Sequence, residues 1–273
     1  MDPLQLSRRK IFFGNENISS KNYKGIEIGP FTRPTVLPSE GDMYYADYYD
    51  TQALREQARK LNIPEEEIPE VHYITNEKEL YLQVQPEEFD FIIANHVLEH
   101  VVDPFRWLKN LEFSLKTGGR FLITLPDKRL SFDKFRPDTS LAHFIEDFQR
   151  GGESSIQEHA IEAGLFYDRN YISLENNPIE RLDSGFLLSS RDSYHPGMHV
   201  HVFQAETFLN RVLIPFLSIG WLNLKLECFE FNIQLGEFSF SLIKSEPFSN
   251  LPPLDFFKEA YDSQPIREVS FKK

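Results

Sequence analysis

Phe89-Asp90-Phe91-Ile92-Ile93-Ala94-Asn95-His96-Val97-Leu98-Glu99-His100, followed by Val101-Val102-Asp103-Pro104-Phe105 and then by Lys116-Thr117-Gly118-Gly119-Arg120-Phe121-Leu122-Ile123-Thr124-Leu125-Pro126, decides the fold. The first apolar run ends on a polar residue, a short helix follows, and a second apolar run is entered through Gly-Gly. That pattern is strand, crossover helix, strand. Upstream, Gly25-Ile26-Glu27-Ile28-Gly29-Pro30 reads as a short strand stopping at a glycine turn. Met43 to Asp47 reads as a strand ending on a carboxylate, and Val71 to Ile74 as a third. Leu54, Ala58 and Leu61 recur at helical spacing between them. Five strands separated mostly by helices predict a parallel, doubly wound α/β sheet, because parallel neighbours need right-handed crossovers.

After Pro126 the pattern breaks. Pro137-Asp138-Thr139 offers a helix start, Leu141, Phe144, Ile145 and Phe148 share a helical face, and Gly151-Gly152 ends it. A second helix is expected from Ser155 to Leu165, then a long loop containing Asn176-Asn177-Pro178, then a helix over Ala205–Leu217. Trp221 to Asn232 and Glu237 to Lys244, joined through Leu235-Gly236, read as a terminal antiparallel hairpin. An N-terminal helix around Leu4 to Phe13 is expected to cover an edge of the sheet or of a ligand cleft. The whole reads as a single domain: a cofactor-binding half over 24–126, inserted helices and cleft-covering loops over 127–220, the hairpin over 221–244 and a proline-rich tail over 245–273.

The 273 residues, 41% of them apolar, suffice for a sizeable core. A formal charge of −13 argues against a nucleic-acid substrate, because a phosphate backbone would be repelled. The run Arg8-Arg9-Lys10 is too short for a nucleic-acid arm and reads as solvated surface. The single cysteine, Cys228, cannot form an internal disulfide, which fits a reducing cytoplasmic setting. The longest apolar stretch, Phe208 to Leu222, is interrupted by polar residues, so no membrane span is expected.

Glu-Ile-Gly-Pro at 27–30, Asn-His-Val-Leu-Glu-His at 95–100 and Thr-Gly-Gly-Arg-Phe-Leu-Ile-Thr-Leu-Pro-Asp-Lys-Arg at 117–129 resemble class I S-adenosylmethionine-dependent methyltransferases. The likeness is to small proteins of that family associated with bacterial glycan biosynthesis, and it covers roughly residues 24 to 150. It implies a Rossmann-like sheet with a terminal antiparallel pair, S-adenosylmethionine as cofactor, and methylation of a small-molecule or carbohydrate-linked acceptor, at oxygen. It makes Glu27 and Gly29 the neighbours of the cofactor's methionine moiety and Asp47 the ribose ligand, with Asn95 and His96 lining the same cleft. Asn76, just after the third strand, stands either to reach the adenine edge or as a turn-forming residue. For Glu27 the alternative is a carboxylate satisfied by backbone donors, and for Asp47 a cap on the helix from Thr51. The glycine motif is incomplete, since Phe31 and Arg33 stand where further glycines are expected. Two other functions therefore stay open: a methyltransferase-fold binding or regulatory protein without catalysis, and a nicotinamide-dependent oxidoreductase. The terminal hairpin and the lack of a full Gly-x-Gly-x-x-Gly count against the latter.

A hydroxyl acceptor needs a base, and histidine serves best near neutral pH. Among the eight histidines, His143 follows the loop Asp127 to Arg136, while His199 and His201 lie in the segment His195-Pro196-Gly197-Met198-His199-Val200-His201 expected at the cleft mouth. These three are the candidate bases. His72 reads as structural, while for His100, after Glu99 on the short helix that follows strand four, helix capping is the alternative to a chemical role. If the segment is extended, His199 and His201 share a face and suit a divalent metal, but spacing supplies no third ligand and no metal is assigned. Asp127, Lys128, Arg129 and Arg136 are charges available to an acidic or sugar-linked acceptor.

Overall fold

A computed structural model describes residues 3–14, 18, 22–76, 78–151, 156–166 and 198–246. The sheet strands are β1 (Lys24–Ile28), β2 (Asp42–Asp47), β3 (Tyr73–Ile74), β4 (Phe89–Asn95), β5 (Leu115–Pro126), β6 (Leu224–Asn232) and β7 (Glu237–Lys244). They form one seven-stranded sheet in the order β3-β2-β1-β4-β5-β7-β6. β1 to β5 run parallel, and β7 enters antiparallel between β5 and β6. This is the class I methyltransferase arrangement, with the expected terminal hairpin.

The apolar runs of the central strands are continuous because both faces are covered. On one face Ile26, Ile92, Phe121, Ile123 and Leu125 join the main core. On the other, Phe91, Ile93 and Leu122 pack with Phe12 and Phe13 of α1 (Pro3–Phe13). A register irregularity between Phe89 and Phe91 puts Phe89 on the same side as Ile92. α2 (Thr51–Lys60) connects β2 to β3, and its N-cap is Asp50, whose side chain accepts from Ala53 N at 2.7 Å. A single 3₁₀ turn, Leu98–His100, follows β4 and leads to α3 (Pro104–Ser114), which Asp103 caps.

Two strands differ from their expected extents. β3 is limited to two residues because the His72 imidazole, through Nδ1, accepts from Tyr45 N at 3.2 Å in place of a ladder carbonyl. β5 begins at Leu115, five residues before Arg120, and leaves no room for a Cβ at Gly119, where it would stand 2.8 Å from Lys116 O and 2.9 Å from Asp90 O.

Beyond β5, α4 (Leu141–Arg150) is capped by Ser140 and ends at Gly151 in the left-handed region, φ +76°. α5 spans Ile156–Phe166. The helix α6 runs through Ala205–Phe208, a π-helical turn Leu209–Leu213, and Ile214–Ser218. Pro215 has no N–H to offer Arg211, which accounts for the widened turn just before it. The loop containing Asn176-Asn177-Pro178, the residues His195 to Gly197 and nearly all of the C-terminal tail lie outside the described residues. No described helix is long and apolar enough to cross a membrane.

The Arg8-Arg9-Lys10 run is not the solvated surface expected of it. Arg8 is buried and forms a two-pronged contact with Glu237 of β7, at 3.1 and 2.7 Å, while Arg9 pairs with Glu40. α1 is thereby tied to the strand end beside the cleft described next.

Candidate active site

In an open α/β sheet, ligands bind beyond the carboxyl ends of the strands where the strand order reverses. Here the reversal lies between β1 and β4, and a cavity of about 750 Å³ opens there, its wall including Gly29, Phe31, Asp47, His96, His100 and Trp107. β1 delivers Gly29, whose φ of +63° is a left-handed conformation that glycine adopts without strain. A Cβ at that position would also stand 3.1 Å from Val97 Cγ2. Phe31 keeps a similar turn at φ +46° despite its side chain, so the missing glycine is replaced by an aromatic wall of the cavity.

Asp47 ends β2 at the cavity wall, and burial raises the pKa of its carboxyl group. Capping of α2 is done by Asp50, so Asp47 is not spent on that role. It accepts instead from Tyr49 N at 3.1 Å. Asn76 lines a smaller adjoining cavity of about 370 Å³, which shares Tyr49 and Ala53 with the larger one.

Glu27 and Asn95 do not line the large cavity. Glu27 is buried at 1% exposure, where its two oxygens accept from Thr35 N and Oγ1 at 2.7 and 2.9 Å and from Asn95 Nδ2 at 3.2 Å. Burial pushes it up to about 7 despite those bonds. Glu27 and Asn95, two of the six residues expected at the cofactor, instead brace the loop that follows Gly29 through Thr35.

His96 lies between two carboxylates, with Nε2 at 2.8 Å from Glu237 Oε2 and Nδ1 at 3.5 Å from Glu99 Oε1. Its partial burial disfavours the charged ring, but the Glu237 and Glu99 contacts outweigh it and raise its pKa to about 9. Glu99 is fully buried; burial opposes its ionisation, yet His96, followed by His100 and His199, brings it down to about 2. His96 is therefore a cation at neutral pH and a poor base.

His100, for which the sequence left capping as an alternative, is the better-placed imidazole. It lines the cavity, and its Nδ1 is 2.8 Å from Met198 O. A carbonyl can only accept, so Nδ1 carries the proton and Nε2 is the basic nitrogen. Burial pushes its pKa below the usual histidine value, the Glu99 carboxylate opposing. His199 packs edge-on against it at 4.8 Å between ring centres, and its own Nδ1 donates to Asp133 Oδ2 at 2.5 Å. Glu99, His100 and His199 place donor atoms within 4.8 Å of one another.

The other two expected bases are elsewhere. His143 and His201 do not line the cavity; they meet His159 and Asp147 instead, and His201 is fully buried. His199 and His201 thus do not share a ligand, because consecutive turns of the segment send one toward Asp133 and the other toward Asp147. The loop charges are also internally committed. Asp127 holds Arg129 and Ala205 N. Lys128 bonds Arg136 O and pairs with Asp138. Arg136, at 1% exposure, bonds Asp133, Glu162 and the carbonyls of His199 and Val200.

A family model described as a methyltransferase domain matches residues 22–211, more than half of the chain. The chain belongs to this methyltransferase family. It is an S-adenosylmethionine-dependent enzyme, and S-adenosylmethionine is its cofactor. Solved structures with a similar fold include a SAM dependent methyltransferase from Aquifex aeolicus, at 12% identity over 89% of this chain and 94% of that one, TM-score 0.44. Another, from Thermotoga maritima, is described as a SAM-dependent methyltransferase, possible histamine N-methyltransferase, at 16% identity over 88% and 89% of the two chains, TM-score 0.43. Both likenesses are distant, and family membership rests on the family model. No curated protein matches the chain.

Proposed function

We propose that this methyltransferase acts on a hydroxyl of a small-molecule or carbohydrate-linked acceptor, with His100 as the base. The observation that carries the reading is a neutral imidazole in the cavity wall whose tautomer is set by the Met198 carbonyl. The carbohydrate association and a cytoplasmic setting belong to the same proposal and come from the sequence resemblance.

The cavity fits the cofactor by its donor set. Gly29 leaves space where a side chain would intrude, Asp47 presents a carboxylate suited to two ribose hydroxyls, and Asn76 stands at the adjoining recess for the base. S-adenosylmethionine supplies an electrophilic methyl carbon on a sulfonium. The chain's part is to hold donor and acceptor in line, exclude water and take one proton. His100 Nε2 would take the proton that the acceptor hydroxyl gives up. His96, held cationic by Glu99 and Glu237, would stay an electrostatic neighbour and not a proton acceptor.

The test is transfer of labelled methyl from S-adenosylmethionine to a panel of free sugars, sugar conjugates and small alcohols, phenols and amines. The proposal expects oxygen-linked products and a loss of about 10²-fold or more in kcat for His100→Ala, with S-adenosylhomocysteine affinity retained. Products only at nitrogen or carbon would overturn the acceptor reading. Undiminished turnover of His100→Ala would remove the base.

A further inference from the structure

We propose that His143, Asp147, His159 and His201 form a closed four-coordinate site for a divalent transition metal, zinc by the chemistry of its donors, that joins α4, α5 and the segment leading into α6. None of the four lines the cofactor cavity, so the site is separate from the one described above. His143 and Asp147 stand at i and i+4 on α4 and therefore on one helix face. His159 comes from α5 and His201 from the chain just before α6.

Four of the donor spacings lie close to that of ligands around one ion. Zinc–nitrogen and zinc–oxygen bonds of about 2.0–2.1 Å at tetrahedral angles set neighbouring donors about 3.3 Å apart. Here His143 Nε2 to His159 Nε2 is 3.3 Å, His159 Nε2 to Asp147 Oδ1 is 3.4 Å, His143 Nε2 to Asp147 Oδ2 is 3.6 Å and His201 Nε2 to Asp147 Oδ2 is 3.7 Å. All four donors lie within 4.8 Å of one another. Three imidazoles drawn to a carboxylate by hydrogen bonds alone would close to about 2.7–2.9 Å. They stand off instead, all presenting Nε2.

Burial gives the second argument. Asp147 and His201 are fully buried and His159 nearly so. His201 Nε2 has no hydrogen-bond partner among the described residues, although a buried polar atom left without one is costly. A dication would complete that nitrogen and offset the buried negative charge of Asp147 together. Four protein ligands leave no open position, which is the mark of a structural site. A recess of about 190 Å³ touching His143 and His159 provides the way in. The segment so held carries the Met198 carbonyl that receives His100 Nδ1, and its Val200 and His201 amides donate to Glu99 O at 2.7 and 3.0 Å. The metal would thus brace the far wall of the active site without touching it.

The test is elemental analysis of the full chain, purified without a histidine tag from zinc-supplemented growth, with cobalt spectroscopy of the chelator-treated protein. The expected result is about one zinc per chain and, on adding cobalt, the visible ligand-field bands of a tetrahedral complex. His159→Ala and Asp147→Ala should each weaken metal binding by more than about 100-fold, beyond the range of losses from outer-shell changes, while His72→Ala retains it. Should the ligand variants fail to fold, wild-type stoichiometry and the cobalt spectrum decide. Less than about a tenth of an equivalent of metal with no cobalt bands, or a folded His159→Ala that binds metal as tightly as wild type, would overturn the site. S-adenosylhomocysteine binding, measured in parallel, reports separately on the cofactor cavity.

Discussion

Replacing Glu99 with glutamine removes the charge that holds His96 and leaves the side-chain shape nearly intact. The Glu99 carboxyl is fully buried and ionises at about 2, against an ordinary value of 4.5. A shift of that size corresponds to about 3 kcal/mol of folding stability at neutral pH, at about 1.4 kcal/mol per pKa unit. His96 has the complementary shift, but its side chain is 38% exposed, so solvent screens its share and only the Glu99 value is converted. The signs fix the pH window. A carboxylate whose folded pKa is depressed contributes stability above its unfolded value of 4.5, and this is lost as pH falls toward 2. A histidine whose folded pKa is raised contributes below its unfolded value of 6.5, and this is lost as pH rises through about 9.

The difference between wild type and Glu99→Gln should therefore be greatest between those unfolded values and shrink on both sides. Urea unfolding at about pH 6 and about pH 10 measures it, with an expected loss of about 3 kcal/mol at the lower pH, or about 5 °C in Tm for a chain of this size. A loss under about 0.5 kcal/mol at pH 6, or one equally large at pH 10, would refute the coupling.

Gly29→Ala forces an alanine to φ +63° and brings its Cβ to 3.1 Å from Val97 Cγ2. It should cost about 1–2 kcal/mol of stability and weaken cofactor binding, read by melting temperature and calorimetry on the same sample. Gly25→Ala would place a Cβ 2.2 Å from the Phe91 ring in the core between β1 and β4. A loss of about 1–3 kcal/mol in denaturant unfolding is expected, with no change in acceptor preference. Asp50→Ala removes the cap of α2 and should cost about 1 kcal/mol in the same assay.

The strands were legible because their apolar runs give way to a glycine or polar residue, at Gly29, Asp47 and Asn95 among others, and those points mark the end of the sheet where a ligand sits. The hairpin was legible from two runs joined at Leu235-Gly236. Side-chain partners were not, because they come from distant parts of the chain. Glu27 is spoken for by Thr35 and Asn95, and Arg136 by Glu162 and two carbonyls of the 199–200 backbone. No local pattern announces those pairings. Arg8 looked like surface for the same reason, since its partner Glu237 is at the other end of the sequence. The setting of His100 was not legible either, because the carbonyl its Nδ1 meets is 98 residues away. One signal was available for the buried histidines: His143 and Asp147 at i, i+4 share a face of α4, which the apolar periodicity of Leu141, Phe144 and Phe148 overshadowed.

We propose that the cavity beyond β1, β2 and β4 holds S-adenosylmethionine through Asp47. Isothermal titration of S-adenosylhomocysteine into wild type and Asp47→Ala is the decisive measurement. Two hydrogen bonds from ribose hydroxyls to one carboxylate, at about 1.5 kcal/mol each, correspond to an affinity loss of about 100-fold or more. That loss is expected in a variant that remains folded. Equal affinity in the two proteins would contradict it.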